Sequence, residues 1–261
     1  MGLKNPRLVD ECGNWLLFRD YFTVSQVKLT SSNFCKKHLI CGFCAIRRAS
    51  RLMASYLERF QAIRRERPNL RPWLVTLTVR NSHDLTHVLD HLMESLRTLH
   101  RRRSRPNQPS IMHGVAGGVY SVEVTHDPST GWHPHVHAIW LAEDDPGTMA
   151  LRAEWERITT DSFMCDVRPI LAEEQPSPDI DEHAGGFAEC FKYAMKPAEL
   201  GADLLEQSYP VLSGRRLVGS FGLFRGIPEP PELGDDLTGL EELPYVEFLA
   251  RYTQGHYFID E

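Results

Sequence analysis

The chain has 261 residues, 42% hydrophobic and 25% charged, which suits one large globular domain or a domain with a small added module. No apolar run reaches membrane-spanning length and residues 1–14 hold no apolar signal core, so the expectation is a cytoplasmic protein with no membrane partner. The net charge of −6 argues, as a sum, against a polyanion partner. Its distribution permits one. Arg47, Arg48 and Arg51 open a basic run, Arg102 and Arg103 lie in a second, and Arg215 and Arg216 form a third. Acidic residues gather in 173–182 and beyond 229. The basic runs read either as solvated faces or as a nucleic-acid surface.

Four of the six cysteines fall early, at Cys12, Cys35, Cys41 and Cys44. Without a secretory signal, metal binding is favoured over disulfides. The C-x-x-C formed by Cys41 and Cys44 lets two thiolates grip one tetrahedral zinc from a tight turn. Cys35 supplies a third sulfur. The fourth ligand is Cys12 or His38, with Cys12 preferred.

Residues 45–67 carry a helical stripe through Leu52, Met53, Tyr56, Phe60 and Ile63, ended by Pro68-Asn69. Residues 73–79 form a β-branched, alternating strand with Thr76 and Thr78 on one face. Ser82 or Asp84 can cap a helix over 85–103, whose stripe runs through Val88, Leu89, Leu92, Leu96 and Leu99.

Two alternating segments follow, 119–125 and 131–141, separated by the turn-formers Asp127, Pro128 and Gly131. In a strand, His133, His135 and His137 share one face while Val136, Ala138 and Trp140 take the other. The imidazoles are either ordinary polar groups on an exposed face or ligands to one divalent metal. A hairpin can bring the carboxylate of Glu123 beside His135 and His137. Two imidazoles and one carboxylate leave coordination positions open, as a catalytic metal requires. The spacing predicts a metal there.

Helix signals return over 148–160, a short strand over 165–170, and an acidic loop over 171–186. Residues 187–196 are helical up to Pro197. Glu189, Tyr193 and Lys196 stand at i, i+4 and i+7 on one face, and Phe187, Phe191 and Ala194 form an offset apolar stripe that is expected to be buried. Spacing alone leaves a plain amphipathic helix with a solvated tyrosine as the alternative. Residues 217–224 read as a closing strand or an irregular basic loop. From 228 the chain is acidic and proline-rich, with a modest apolar stretch over 245–252.

Taken together, G-W-H-P-H-V-H, W-L-V-T-L-T-V, F-C-K-K-H-L-I-C-G-F-C-A-I-R-R-A-S-R and E-C-F-K-Y-A-M-K, in this order, resemble replication initiators of rolling-circle plasmids, members of the HUH endonuclease superfamily. The resemblance spans roughly residues 11–225. It implies an α+β fold: a central antiparallel sheet with helices on one face, carrying the metal hairpin, plus a small N-terminal zinc-binding segment. It matches His135 and His137 to the paired histidines that hold Mg or Mn, with Glu123 as third ligand. His133 falls on the first histidine of the family's H-P-H-x-H string. Tyr193 matches the single nucleophile, Glu189 the carboxylate four residues before it, and Lys196 the basic residue of a Y-x-x-K pattern. The early cysteines match a zinc-finger-like segment, although an inserted residue and the lack of proline after Cys41 depart from the pattern.

The activity implied is site-specific nicking and joining of single-stranded or hairpin origin DNA through a covalent 5′-phosphotyrosine. Host helicase and polymerase are the implied partners of a monomer or dimer. The corresponding division is 1–68 as zinc segment and basic helix, 69–226 as endonuclease core and 227–261 as acidic tail. Rival readings are a transposase or relaxase of the same superfamily, or a zinc-containing DNA-binding regulator without catalysis.

Overall fold

The computed structural model describes residues 7–172, 182–192, 200–228 and 233–260. Its elements run α1 (Arg7–Asp10), β1 (Trp15–Tyr21), β2 (Gln26–Ser32), α2 (Gly42–Glu66), β3 (Arg71–Thr78), α3 (Leu85–Arg102), β4 (Val115–Asp127), β5 (Gly131–Ala142), α4 (Thr148–Thr159), β6 (Cys165–Pro169), α5 (Ala184–Lys192), α6 (Ala202–Leu212), β7 (Val218–Gly222), β8 (Val246–Thr253) and β9 (His256–Asp260). The class is α+β with antiparallel sheets, as expected. The chain divides into two units, Met1–Arg48 with Pro230–Glu261, and Ala49–Glu229.

The first unit is built on a four-stranded sheet in the order β2-β1-β8-β9. Leu16, Leu29 and Ala250 are buried on one face, and Phe18 stacks on Phe248 with ring centroids 5.2 Å apart. The segment 227–261, read from sequence as an acidic tail, contributes two of these strands. Its apolar stretch pairs with β1 from Trp15 opposite Arg251 to Asp20 opposite Val246. Tyr257 adds a hydrogen bond from its hydroxyl to the Gly13 carbonyl at 2.7 Å.

The second unit carries a five-stranded antiparallel sheet, β6-β3-β5-β4-β7, with β5 in the middle. The β4–β5 turn is built by Asp127, whose carboxylate accepts from the backbone N–H of Ser129 (2.9 Å) and Thr130 (3.0 Å). A hydrogen bond from the Ser129 hydroxyl, with those two backbone bonds, holds the Asp127 carboxyl low, at about 2. Gly131 closes the turn at φ 88°, and a Cβ there would lie 2.6 Å from the Ser82 carbonyl oxygen. Pro134 sits just beyond the last pair with β3, Thr78 opposite His135, so on that flank there is no ladder to interrupt.

Helices cover both faces of this sheet, which corrects the expectation of helices on one face. α3, capped by Asp84, buries Val88, Leu89, Leu92, Leu96 and Leu99; its His100 ring lies 5.7 Å from Tyr120 of β4. That is the face of Val122, Val136, Ala138 and Trp140, all buried. On the opposite face Leu52, Tyr56, Phe60 and Ile63 of α2 and Phe187, Cys190 and Phe191 of α5 pack over Leu74, Val119, Ile139 and Leu141. The predicted stripe of α5 is thus buried at Phe187 and Phe191. Each such burial contributes roughly 1.5–3 kcal/mol. This matters because a nine-residue helix is marginal alone. Strand parity puts His135 and His137 on that same face, just past the edge of the apolar patch. The helices therefore leave a polar half of the sheet face in the middle of the fold.

Candidate metal centre

The register between β4 and β5 sets Glu123 opposite His135, Ser121 opposite His137 and Thr125 opposite His133. Across the other flank, Thr76 opposes His137 and Thr78 opposes His135. Directly opposed residues of an antiparallel pair share a face, so all these polar side chains gather on one surface. The Oε2 oxygen of Glu123 lies 3.0 Å from His137 Nε2 and also contacts His135 Nε2. Ligand atoms of Glu123, His135 and His137 all fall within 4.8 Å of one another. Glu123 is only 1% exposed and His137 7%.

The donor set fits a divalent cation. Two Nε2 atoms converge on one carboxylate oxygen, and burial draws His137 below its usual pKa despite the opposing pull of Glu123, which favours the neutral imidazole that ligates metals. The other ring nitrogen of His137, Nδ1, is 3.4 Å from Thr76 Oγ1, a contact that orients a ligating ring. His133 lies on the same face but turns its Nδ1 to the Asn81 amide oxygen, 5.1 Å ring-to-ring from His135, and stands outside the three-residue group.

α5 is fixed to this centre at two points. The Ser121 hydroxyl donates to the Cys190 carbonyl at 2.6 Å, and the Cys190 thiol donates to the His137 carbonyl at 3.4 Å. The next residue back, Glu189, sits near enough for its negative charge to act on His137, and it pairs with Lys192. Tyr193 and Lys196 lie outside the described residues.

In the first unit Cys12, Cys35, Cys41 and Cys44 form a second group, again within 4.8 Å. Cys12 lies 3.4 Å from Cys44 and 3.5 Å from Cys41, and Cys35 lies 3.6 Å from Cys44, sulfur to sulfur. Four sulfurs around a zinc with bonds of ~2.3 Å stand roughly 3.8 Å apart, so the set is nearly the size a tetrahedral zinc needs. Backbone N–H groups of Cys35 and Lys37 point at Cys12 and Cys35 sulfurs, as suits thiolates. Burial pushes the Cys12 thiol up, and the Cys44 thiol up to about 12. Burial acts on Cys41 as well, but hydrogen bonds from Cys44, Cys12 and Cys35 hold it below its ordinary value. Four such thiols ionise together only around a cation. His38 is not in this group.

The replication protein family matches residues 26–247 of the chain, a span that takes in β2, Cys35, Cys41 and Cys44 but not Cys12, the strands bearing Glu123, His135 and His137, and α5. The chain belongs to that family. Among its relatives are a "Protein rep" of Streptococcus pneumoniae serotype 2 (strain D39 / NCTC 7466), 26% identical over 238 residues, covering 87% of this chain and 72% of the relative. Another is a "Protein rep" of Lactiplantibacillus plantarum, 25% identical over 251 residues, covering 89% and 76%. No solved structure matches the chain. Membership agrees with the resemblance to replication initiators drawn from the motifs.

The basic residues of this replication protein are less free than their runs imply. Arg47 donates to the Leu233 carbonyl (2.8 Å) and to Asp235 (2.7 Å). Arg102 pairs at 3.0 Å with Glu154, itself 1% exposed. Arg103 donates to the Val115 and Ala116 carbonyls, and Arg215 pairs with Asp90. Arg48 and Arg51 are half-buried and Arg216 is exposed. Sequence reasoning placed Thr76 on the correct strand face without giving it a role, and it overlooked Asn81. The signal for Thr76 was its parity on β3; Asn81, beyond the strand, left none. Among the described residues no helix is long and apolar enough to cross a membrane.

Proposed function

We propose that this member of the replication protein family initiates plasmid rolling-circle replication by nicking one DNA strand and holding it as a 5′-phosphotyrosine. The observation that carries the reading is the convergence of Glu123, His135 and His137 on one buried point in the middle of the sheet. Glu123, His135 and His137 would hold a Mg or Mn ion, which would supply Lewis-acid stabilisation of the charge developing on the phosphate, and Thr76 keeps the His137 ring in its orientation.

The Tyr193 oxygen forms the new bond to phosphorus while the bond to the 3′-oxygen breaks; the phenol proton is balanced by the one gained at the released 3′-hydroxyl. Lys196 stabilises the phenolate and the phosphate. In the releasing step Glu189 takes the proton of the attacking water or DNA hydroxyl, and the phenol is regenerated. The four cysteines hold a structural zinc. The partners proposed are single-stranded or hairpin origin DNA, with host helicase and polymerase acting on the nicked product.

The test is cleavage of 5′-labelled and 3′-labelled single-stranded origin DNA with Mg or Mn, scoring label retained on protein. Tyr193→Phe should lose the adduct entirely. A normal adduct yield in that variant would overturn the assignment and point to Tyr120 or Tyr209.

A further inference from the structure

A cavity of about 870 Å³ opens beside the metal centre, where β3 ends and β5 begins. Thr78, Arg80, Asn81, His133, Phe163 and Met164 line it. Its size is that of a small-ligand site. Two of its walls belong to the centre's own neighbourhood, since Thr78 opposes His135 and His133 precedes it by two residues, roughly 6.6 Å along a strand.

Three features describe its occupant. Phe163 is 41% exposed and Met164 64%, so the cavity has an apolar wall open to an occupant. The Arg152 guanidinium sits 4.6 Å from the Phe163 ring centroid, which steadies that ring as a platform. The polar lining offers the amide of Asn81, held by Thr130 (2.7 Å) and by His133, and the exposed Arg80 guanidinium, which makes no hydrogen bond among the described residues. Asp161, another lining residue, is hydrogen-bonded to His91 at 3.1 Å. A carboxylate in the wall repels phosphate but accepts from a ring N–H or an exocyclic amine of a base. A flat, neutral, hydrogen-bonding ring satisfies all of these features.

We propose that this cavity takes one nucleobase of the single strand whose backbone crosses the metal centre, stacked on Phe163 and hydrogen-bonded by Asn81 and Arg80. The proposal rests on the nicking reading above only for the position of the strand. Stacking of a base on an aromatic side chain tolerates any base, so the cavity works as a clamp that sets which phosphate reaches the centre.

The experiment measures binding of a fluorescent dT12 oligonucleotide to the full chain by anisotropy, without metal, alongside a 12-mer of abasic spacers. Phe163→Ala should weaken dT12 binding about tenfold, the usual size of one lost stack. It should leave the abasic 12-mer unchanged. Phe163→Trp should keep dT12 affinity and lose indole fluorescence when dT12 binds. Equal loss on both oligonucleotides, or no quenching in Phe163→Trp, would overturn the clamp. So would dTMP competing as well as dT12, which would make this a free-nucleotide site. Adduct formation on the same preparations separates the two readings. Adduct without base dependence sinks the clamp alone, and base dependence without adduct sinks the nicking chemistry alone.

Discussion

Ser121 of β4 and Cys190 of α5 are joined by a 2.6 Å hydrogen bond from the serine hydroxyl to the helix carbonyl, one register step from Glu123. Both residues are fully buried. The bond ties the helix bearing Glu189 to the strand bearing Glu123 of the candidate metal centre.

Ser121→Ala should therefore act as a positioning change. Leaving a buried carbonyl without its donor costs about 1–3 kcal/mol. Thermal unfolding should report that loss. Adduct formation should slow with little change in DNA affinity, and Ser121→Thr should restore part of the rate. A variant that is destabilised but nicks at the normal rate would show that the bond holds only the fold.

The two carboxylates should fail differently. Glu123→Ala should weaken Mg or Mn binding and slow every cleavage step, with partial rescue by added metal. Glu189→Ala should leave the first cleavage largely intact and accumulate adduct, with the second step slowed on the order of 100- to 10,000-fold. Single-turnover kinetics that follow adduct and released product across a metal titration decide it. Metal-rescued first cleavage in Glu189→Ala would make Glu189 a ligand.

Purified protein should contain zinc that survives mild chelation. Cys41→Ser and Cys44→Ser should lose it and expose the first unit to proteolysis, because binding energy at a closed site is folding energy. Cys12→Ser should lose zinc too, while His38→Ala keeps it. The opposite pattern by metal analysis would exchange the two residues as fourth ligand.

His100 gives the fold a pH dependence. Its ring packs 4.3 Å from Phe221, its Nε2 is buried with no hydrogen-bond partner among the described residues, and burial pushes its pKa down to about 4. The unfolded chain binds the proton near pH 6.5, so stability is complete above that value and falls as pH drops from about 6.5 to about 4. The loss is on the order of 3 kcal/mol. His100→Leu should flatten that part of the curve in urea unfolding at each pH. An unchanged slope in the variant would assign it elsewhere.

Local geometry was legible from the residues themselves. The shared face of His135 and His137, the opposite apolar face of Val136, Ala138 and Trp140, and the buried Phe187–Phe191 stripe all follow from the fixed periods of strand and helix, which involve no distant partner, whereas the structure chose Asp84 over Ser82 as the cap. The C-x-x-C was legible for the same reason. Register was not. Either Ser121 or Thr125 could have opposed His135 had the turn closed differently, and the Asp127 bonds with the left-handed Gly131 decide for Glu123. The fourth sulfur also depended on tertiary structure, because Cys12 reaches the others only once the β1–β2 hairpin between them has formed. β8 was read as part of a tail because its partner, β1, lies more than two hundred residues earlier and leaves no local trace, and β9 joins the sheet only through β8. The arginines show the same limit. A run of charge is a property of sequence, but whether Arg47, Arg102 or Arg215 faces DNA or pairs with Asp235, Glu154 or Asp90 depends on which segments pack together, and long-range packing alone chooses that.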